Sequence, residues 1–303
     1  MYKNFTEAYR NIAKDLLENG KEVGAIRGRT THEILNYSFS FEDITSNLSY
    51  IEGRKFNLMH GILESLGLFV PDNSVKFNSL FNERMTTFSD DGKTMYGNYG
   101  KRISGCLKTV IEKLKKDNNS RSAVLNIYNN SDLFMLTKDI PCTETIQFFV
   151  RDNKLHMIVN MRSNDMVWGT PYDVFMFTNL QMVIANTLGL EYGCYYHNVG
   201  SMHLYDDMRP LMEQLYTQPW IEVSKKNTNT FDSWYSLAIN LSFYSFTDNY
   251  YLIRKVGNKM EDGIYANMVL KELEYKKGIV ADIDNVGLSK ETLVKYFCKR
   301  WKL

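Results

Sequence analysis

The stretch that decides the fold runs from residue 141 to residue 205, and it carries four polar motifs separated by apolar segments. The motifs read Pro141-Cys142-Thr143, Arg162-Ser163-Asn164-Asp165, Gly169-Thr170-Pro171-Tyr172-Asp173 and Gly200-Ser201-Met202-His203-Leu204-Tyr205. They supply a cysteine, an arginine, two aspartates and a His-x-Tyr pair, and the apolar segments between them can bring these groups together. A candidate site is therefore expected within this stretch.

The first half of the stretch has the pattern of a β-hairpin. Residues 145–150 and 155–159 alternate along the chain, and Asp152-Asn153 between them is a turn sequence. Alternation on both sides of a two-residue turn is typical of two antiparallel strands. Cys142 is therefore expected at the entrance of the first strand.

The second half predicts a buried helix followed by a strand. Residues 174–188 are apolar on nearly every face, and Gly189 stands where a helix C-cap is expected. Asp173 then falls at the helix N-terminus. The chain after the helix favours an extended strand, on which His203 and Tyr205 point to the same face. That spacing suits two hydrogen bonds to one ligand.

Apolar spacing outside this stretch predicts further helices and strands. Apolar residues recur at helical intervals over residues 5–16, 56–66 and 99–114. Residues 34–41 have the composition of a strand, and Pro210 fits the first turn of a helix. The chain is therefore expected to mix helices and strands.

Composition narrows the class of protein. The 303 residues are 44% hydrophobic and 23% charged, which is ordinary for a globular chain able to bury a large core. The formal net charge of +1 gives no electrostatic case for binding a nucleic acid polymer or an acidic membrane surface. The four cysteines include no CxxC pair, and no signal peptide or membrane span is evident, so we expect a cytoplasmic protein without a metal site.

In this order the four motifs resemble those of thymidylate synthase and its pyrimidine-nucleotide hydroxymethylase relatives, with the dCMP hydroxymethylase type the most similar. Weaker similarity extends from about residue 27 to about residue 215. The resemblance implies an α+β fold, with a mixed β-sheet packed by helices around a long buried central helix and one sheet face used for dimerisation. It also implies a catalytic core over residues 1–215 and a divergent C-terminal part, residues 216–303, of the same domain or as a small appended segment.

The resemblance assigns covalent catalysis to Cys142. A thiolate adding to carbon 6 of a pyrimidine makes carbon 5 able to attack an electrophile, and a guanidinium such as that of Arg162 favours the thiolate. Tyr99, in a Tyr-Gly pair before a predicted helix, matches the family's active-site tyrosine. His203 and Tyr205 are expected to hold the sugar hydroxyl of the substrate.

The resemblance assigns binding of the nucleotide phosphate mainly to arginines. Arg162 and Ser163 hold the phosphate together with Arg27, because a bidentate guanidinium fits phosphate better than an ammonium does. Arg29 is an alternative to Arg27. Arg121 is expected to come from the other subunit, which implies a homodimer whose active sites are shared between its chains.

Folate binding is supported by fewer residues. Asp165 matches the family aspartate that contacts the pterin ring of 5,10-methylenetetrahydrofolate. Two features depart from the family. Gly61, flanked by His60 and Glu64, stands where a glutamate organises proton transfer, and residues 299–303 are unlike the short apolar tail that closes over folate.

Asp173 carries the inference about the base. Thymidylate synthase has asparagine at this position, whose amide accepts from N3-H and donates to O4 of uracil. An ionised carboxylate only accepts, so it faces O4 unfavourably but takes the N4-H of cytosine. In an alternative interpretation, Asp173 caps the following helix and leaves the choice between uracil and cytosine open.

We therefore expect an enzyme that transfers a one-carbon unit from 5,10-methylenetetrahydrofolate to carbon 5 of a pyrimidine nucleoside monophosphate, forming 5-hydroxymethyl-dCMP from dCMP. Water adding to the transferred carbon gives hydroxymethyl and hydride gives methyl, so a dCMP methyltransferase remains an alternative, as does a thymidylate synthase or hydroxymethylase acting on dUMP. A protein that binds the nucleotide without turnover is the alternative of another class. Cys142 argues against it, because binding alone needs no nucleophile.

Overall fold

The structure is a computed structural model that describes residues 1–26, 28–51, 54, 56–247 and 264–276. Arg27 and residues 299–303, which the sequence analysis singled out, lie outside these ranges. The chain divides into two units. The first comprises Met1–Lys55, Cys106–Leu136 and Ile140–Lys226, and the second comprises Phe56–Gly105, Thr137–Asp139 and Asn227–Leu303.

A mixed β-sheet forms the first unit. The strands are β1 (Tyr2–Asn4), β2 (Lys21–Ile26), β3 (Arg29–Asp43), β4 (Leu48–Ile51), β5 (Val124–Asn126), β6 (Thr143–Arg151), β7 (Lys154–Asp165), β8 (Glu191–Tyr205) and β9 (Trp220–Val223). The main sheet has the order β1-β3-β8-β7-β6-β5, with β2 paired to β3, while β4 and β9 form a second, two-stranded sheet. In the main sheet β7 and β8 are parallel, as are β1 and β3, and the remaining pairs are antiparallel.

Helices occur in both units. In chain order they are α1 (Phe5–Asn19), α2 (Leu58–Gly67), α3 (Val75–Asn78), α4 (Tyr99–Ile103), α5 (Leu107–Lys116), α6 (Thr170–Leu188), α7 (Arg209–Tyr216), α8 (Phe231–Thr247) and α9 (Ile264–Lys276). The described part of the second unit contains α2, α3, α4, α8 and α9. None of the helices in the described ranges is both long and apolar enough to cross a lipid bilayer.

The predicted hairpin is confirmed as β6 and β7. Asp152 and Asn153 both adopt left-handed backbone angles, with φ of 50° and 58°, and they join the paired residues Arg151 and Lys154. Two consecutive residues in this region make the turn whose twist matches that of the strands. Cys142 immediately precedes β6, where the sequence placed it.

The predicted buried helix is confirmed as α6, which connects β7 to β8. Pro171 lies in its first turn, and Gly189 ends it with a φ of 69° while its N–H donates to the carbonyl of Ala185. Apolar side chains along its length are buried, and each contributes about 2 kcal/mol to folding. Gln181 also ties the helix to the sheet by donating to the carbonyls of Leu155 at 2.8 Å and Gly193 at 3.1 Å.

The buried face of β8 reverses at Gly200. From Gly193 to Val199 the odd-numbered residues are buried, whereas beyond Gly200 Met202 and Leu204 are buried. The neighbouring strand β3 is irregular at the same level, where Asn36 has a φ of 53°. Continued alternation from Val199 would have buried residues 203 and 205. The reversal instead leaves both of them partly exposed.

The helices of the second unit pack through aromatic side chains. Phe69 and Phe231 rings lie 5.5 Å apart, and the indole N–H of Trp234 donates to the carbonyl of Ser65.

The apolar spacing over residues 99–114 predicted one helix. The chain instead makes two helices, α4 and α5, separated by a 3-10 turn at Ser104–Cys106.

Two glycine substitutions test the turn that ends α6. Gly189→Ala should lower the free energy of unfolding by about 1 kcal/mol, because a side chain is strained at positive φ. Gly105→Ala is the matched control. A Cβ there meets nothing within 4 Å and its φ is not positive, so this change should leave stability equal or slightly higher. Urea unfolding measures both variants, and an equal loss in the two would contradict the assignment of Gly189.

Candidate active site

The thiol of Cys142 lies beside the guanidinium of Arg162. Nη2 of Arg162 is 3.7 Å from Sγ, and the backbone N–H of Arg162 donates to the carbonyl of Cys142 at 2.9 Å. The guanidinium is held there because its Nε donates to the carbonyl of Pro141 at 2.9 Å and its Nη2 to that of Ile140 at 3.1 Å. A fixed positive charge at this distance stabilises negative charge on the sulfur.

Strand register brings together residues that lie about forty positions apart in the sequence. In the parallel pair of β7 and β8, Ser163 is opposite Ser201 and Asp165 is opposite His203. Ser163 Oγ is 3.4 Å from Nδ1 of His203, and the rings of His203 and Tyr205 meet edge to face at 5.2 Å. Four of the predicted site residues therefore form one cluster at the ends of these strands.

Arg29 lies against this cluster. Its guanidinium carbon is 3.9 Å from the centre of the Tyr205 ring, and its Nη2 pairs with Asp207 Oδ2 at 2.6 Å. Arg121 is exposed and lies shortly before β5, and its carbonyl accepts from Nε2 of Gln147 at 2.8 Å.

The carboxyl group of Asp165 is held by backbone N–H groups. Oδ1 accepts from the N–H of Val167 at 2.6 Å and from that of Trp168 at 3.0 Å. Burial raises the pKa of Asp165, while nearby His203 and the two N–H donors act in the opposite direction. The side chain is thus an oriented acceptor at the end of β7.

Asp173 does not cap α6. The helix starts at Thr170 with Gly169 as its N-cap, so Asp173 lies within the first turn, and the alternative interpretation as a capping residue is wrong. Its carboxylate is bound from the sheet instead, because Nδ2 of Asn164 donates to Oδ2 of Asp173 at 2.7 Å.

Sequence reasoning assigned no role to three residues that are linked to Asp173 by hydrogen bonds, namely Asn164, His197 and Tyr195. Oδ1 of Asn164 is 3.1 Å from Nε2 of His197, whose Nδ1 is 2.6 Å from the hydroxyl of Tyr195. Burial lowers the pKa of His197 to about 3, and its ring stacks on Phe39 at 4.7 Å. The strand pattern could have indicated them. Tyr195 and His197 fall at the buried positions of β8, and both carry polar groups that need a hydrogen-bond partner when buried.

Three other candidates lie in the second unit. Tyr99 is partly buried and begins α4, and its catalytic role stays a prediction. In α2, Nε2 of His60 is 3.5 Å from Oε1 of Glu64, and burial lowers the pKa of His60 to about 4. Although 31% of the Glu64 side chain is exposed, desolvation of its carboxyl raises the pKa of Glu64 to about 8. Burial therefore shifts the pKa of each group toward its uncharged form.

Comparison with known proteins identifies a family and a fold. The model of the thymidylate synthase family matches residues 7–250. The structure is similar to that of thermostable thymidylate synthase A from Bacillus subtilis, with a TM-score of 0.65 and 23% identity over 76% of this chain and 92% of that one. At this identity the structural similarity shows the fold, and it confirms the predicted mixed sheet packed by helices.

Two phage proteins are similar in sequence. Deoxyuridylate hydroxymethyltransferase of Bacillus phage SP01 is 32% identical over 224 residues, which are 67% of this chain and 57% of that protein. Thymidylate synthase of Bacillus phage phi3T is 31% identical over 286 residues, which are 84% of this chain and 97% of that protein. The match thus spans little more than half the length of the hydroxymethyltransferase.

The buried His197 should make stability depend on pH. Histidine in the unfolded chain protonates near pH 6.5, whereas folded His197 protonates near pH 3, so the unfolded state binds the proton first as pH falls. Stability is therefore lost progressively below about pH 6.5. Between pH 7 and pH 5 the protein should lose about 2 kcal/mol more of its unfolding free energy than the His197→Gln variant does.

Urea unfolding across this pH range measures the difference. His60 acts in the same direction, but it is present in both proteins and cancels in the comparison. Parallel curves for the two proteins would show that His197 takes up a proton in the folded state.

Proposed function

The chain belongs to the thymidylate synthase family, and on that premise we propose that it transfers a one-carbon unit to carbon 5 of dCMP, forming 5-hydroxymethyl-dCMP. The observation that carries the transfer is the contact of 3.7 Å between the sulfur of Cys142 and the guanidinium of Arg162. The choice of dCMP depends on a second observation, the carboxylate of Asp173 held from the sheet by Asn164.

Cys142 acts as the nucleophile. Its thiolate forms a bond to carbon 6 of the pyrimidine, and the electron pair of the C5–C6 double bond passes to carbon 5. Carbon 5 bonds to the one-carbon unit and then loses its proton, and the bond between that carbon and the donor nitrogen breaks with its electron pair passing to the nitrogen. Water adds to the exocyclic methylene left on carbon 5, after which the sulfur leaves carbon 6 and the double bond is restored. Arg162 stabilises the negative sulfur at the start and at the end of this sequence.

Ser163, His203 and Tyr205 orient the nucleotide. Ser163 binds the phosphate with Arg162, and the His203–Tyr205 pair binds the sugar hydroxyl. Orientation of this kind lowers a barrier by several kcal/mol when the reacting atoms are held close. Arg27 is the further phosphate ligand in this proposal. The pairing of Arg29 with Asp207 supports that choice, because it already offsets the charge of Arg29.

The family's one-carbon donor, 5,10-methylenetetrahydrofolate, supplies a carbon at the oxidation level of formaldehyde when it is bound. Asp165 fits the donor chemically, because two backbone N–H groups fix one carboxyl oxygen and the second oxygen can accept from a ring N–H. Asp165 is therefore the residue that would hold the pterin ring.

A dUMP substrate is the second candidate, and the names of the two phage relatives favour it. The carboxylate at position 173 favours dCMP, because a group that only accepts hydrogen bonds suits the N4-H of cytosine and opposes O4 of uracil. A site that must leave a buried polar group unpaired rejects the wrong substrate by large factors.

Tritium release tests the activity. The protein is incubated with dCMP or dUMP tritiated at carbon 5, with and without 5,10-methylenetetrahydrofolate, and mass spectrometry identifies the product. We expect folate-dependent release from dCMP, a hydroxymethyl product, and no release with Cys142→Ser. Absence of release from both nucleotides would leave a binding protein without turnover as the better description.

The substrate choice is tested in the same assay. Asp173→Asn should reverse the preference, lowering kcat/KM for dCMP and raising it for dUMP, so that their ratio changes by about 100-fold or more. Asp207→Asn, a matched change at an exposed carboxylate, should leave the ratio unchanged. Release from dUMP alone by the unaltered protein would refute the role of Asp173.

We propose further that the active protein is a homodimer in which Arg121 binds the phosphate in the partner's site. Its exposure shortly before β5 supports this placement. Cys142→Ser and Arg121→Ala should each be inactive alone. Mixing equal amounts and allowing subunit exchange should restore about a quarter of the activity, because half of the dimers are mixed and each has one complete site.

Light scattering measures the oligomeric state, mass spectrometry of the intact dimers measures how many are mixed, and the tritium assay measures the recovery. A mixture that forms mixed dimers without any recovered activity would show that Arg121 serves its own chain.

A further inference from the structure

Buried side chains form a hydrogen-bonded relay that ends on Asp173. The hydroxyl of Tyr195 lies 2.6 Å from Nδ1 of His197, and Nε2 of His197 lies 3.1 Å from Oδ1 of Asn164. Nδ2 of Asn164 then donates to Asp173 at 2.7 Å. The side chains of Tyr195 and His197 are fully buried, and Asn164 is 3% exposed. Water therefore competes little for these bonds.

The relay has one direction. His197 is neutral in its buried position, so a single ring nitrogen carries a proton. Because Oδ1 of Asn164 can only accept, that proton lies on Nε2, and Nδ1 accepts from the hydroxyl of Tyr195. Burial raises the pKa of Tyr195 well above its usual value, which keeps this hydroxyl protonated. Every donor thus points toward Asp173.

The surroundings of Asn164 hold its amide in this orientation. The hydroxyl of Thr170 donates to the same Oδ1 at 2.9 Å, so the oxygen faces two donors and the NH₂ faces the carboxylate. Gly169 makes room for the amide, because a Cβ at that position would lie 2.8 Å from Nδ2 of Asn164. A flipped amide would place its oxygen against the carboxylate.

Direction matters for which base can be bound. A carboxyl group that gains a proton can donate to O4 of uracil, and the N–H that Asn164 donates to Oδ2 of Asp173 opposes this by favouring the ionised carboxylate. Reversing every bond in the relay would replace this donor by the amide oxygen of Asn164. It also turns the Tyr195 hydroxyl away from His197, toward another acceptor in a fully buried position. The observed direction keeps Asp173 an acceptor, which suits the amino group of cytosine.

We propose that Tyr195, His197 and Asn164 are positioning residues that hold Asp173 as a hydrogen-bond acceptor and thereby make the site select cytosine over uracil. This inference rests on the proposed function. The proposed function assigns recognition of the base to the carboxylate of Asp173. The inference adds the residues that keep this carboxylate a hydrogen-bond acceptor.

Nitrogen-15 NMR of the histidines tests the direction without any turnover. The His197 resonances, identified by their loss in His197→Gln, should show the tautomer protonated at Nε2. Tyr195→Phe removes the donor to Nδ1, so it should raise the population protonated at Nδ1. Tyr37→Phe is the matched control, because its hydroxyl donates to Asp15 at 2.6 Å outside the relay. A resonance pattern protonated at Nδ1 in the unaltered protein would overturn the inference.

Calorimetric binding of dCMP and dUMP tests the selection. The preference for dCMP should fall about tenfold in Asn164→Leu and His197→Phe, and about threefold in Tyr195→Phe. His197→Gln, whose amide can still donate to Asn164, should restore most of the preference, and Tyr37→Phe should leave it unchanged. A structural role alone would weaken both nucleotides equally and would not be rescued by glutamine.

The possible outcomes distinguish a failure of this inference from a failure of the proposed function. Tritium release without a change of preference in these variants would overturn the relay and leave the proposed function standing. Failure of the unaltered protein to bind either nucleotide would overturn the selection together with the proposed function. A graded loss of preference along the relay, with rescue by glutamine, would support the inference.

Discussion

Parallel pairing of β7 with β8 is the constraint on which the rest of this structure depends. Two parallel strands cannot be joined by a tight turn, so the chain needs a long connection between them, and α6 supplies it. Gln181 fixes the helix to the carbonyls of both strands. Once this register is set, Asp165 is opposite His203, and the site residues of two distant motifs become neighbours.

The same register decides how polar groups are buried. Burying a polar side chain lowers the stability of the fold unless the side chain is hydrogen-bonded. A buried network in which every group is bonded also holds its side chains in one arrangement. Asn164 meets this requirement by bonding to Thr170, His197 and Asp173 at once. The Cys142 strand entrance is stabilised in a similar way, because Arg162 binds the carbonyls that precede it.

The resemblance to the family places Gly61, in the second unit, where a glutamate is expected. The neighbouring pair His60 and Glu64 lies in α2, and burial shifts the pKa of both groups toward their uncharged forms. A carboxyl group whose pKa is raised toward neutrality is suited to donate a proton. The glycine at position 61 is read from the sequence, whereas the shifted pKa values depend on how α2 is buried.

Local pattern determined much of this protein. The sequence predicted the turn at Asp152-Asn153, the apolar helix ending at Gly189 and the order of the polar motifs. Turns, helix ends and the periodicity of a buried face are properties of residues that are neighbours along the chain. Tertiary structure alone decided the face reversal at Gly200 and the relay from Tyr195. These depend on which strand lies beside which and in what register, and a linear pattern does not contain that information.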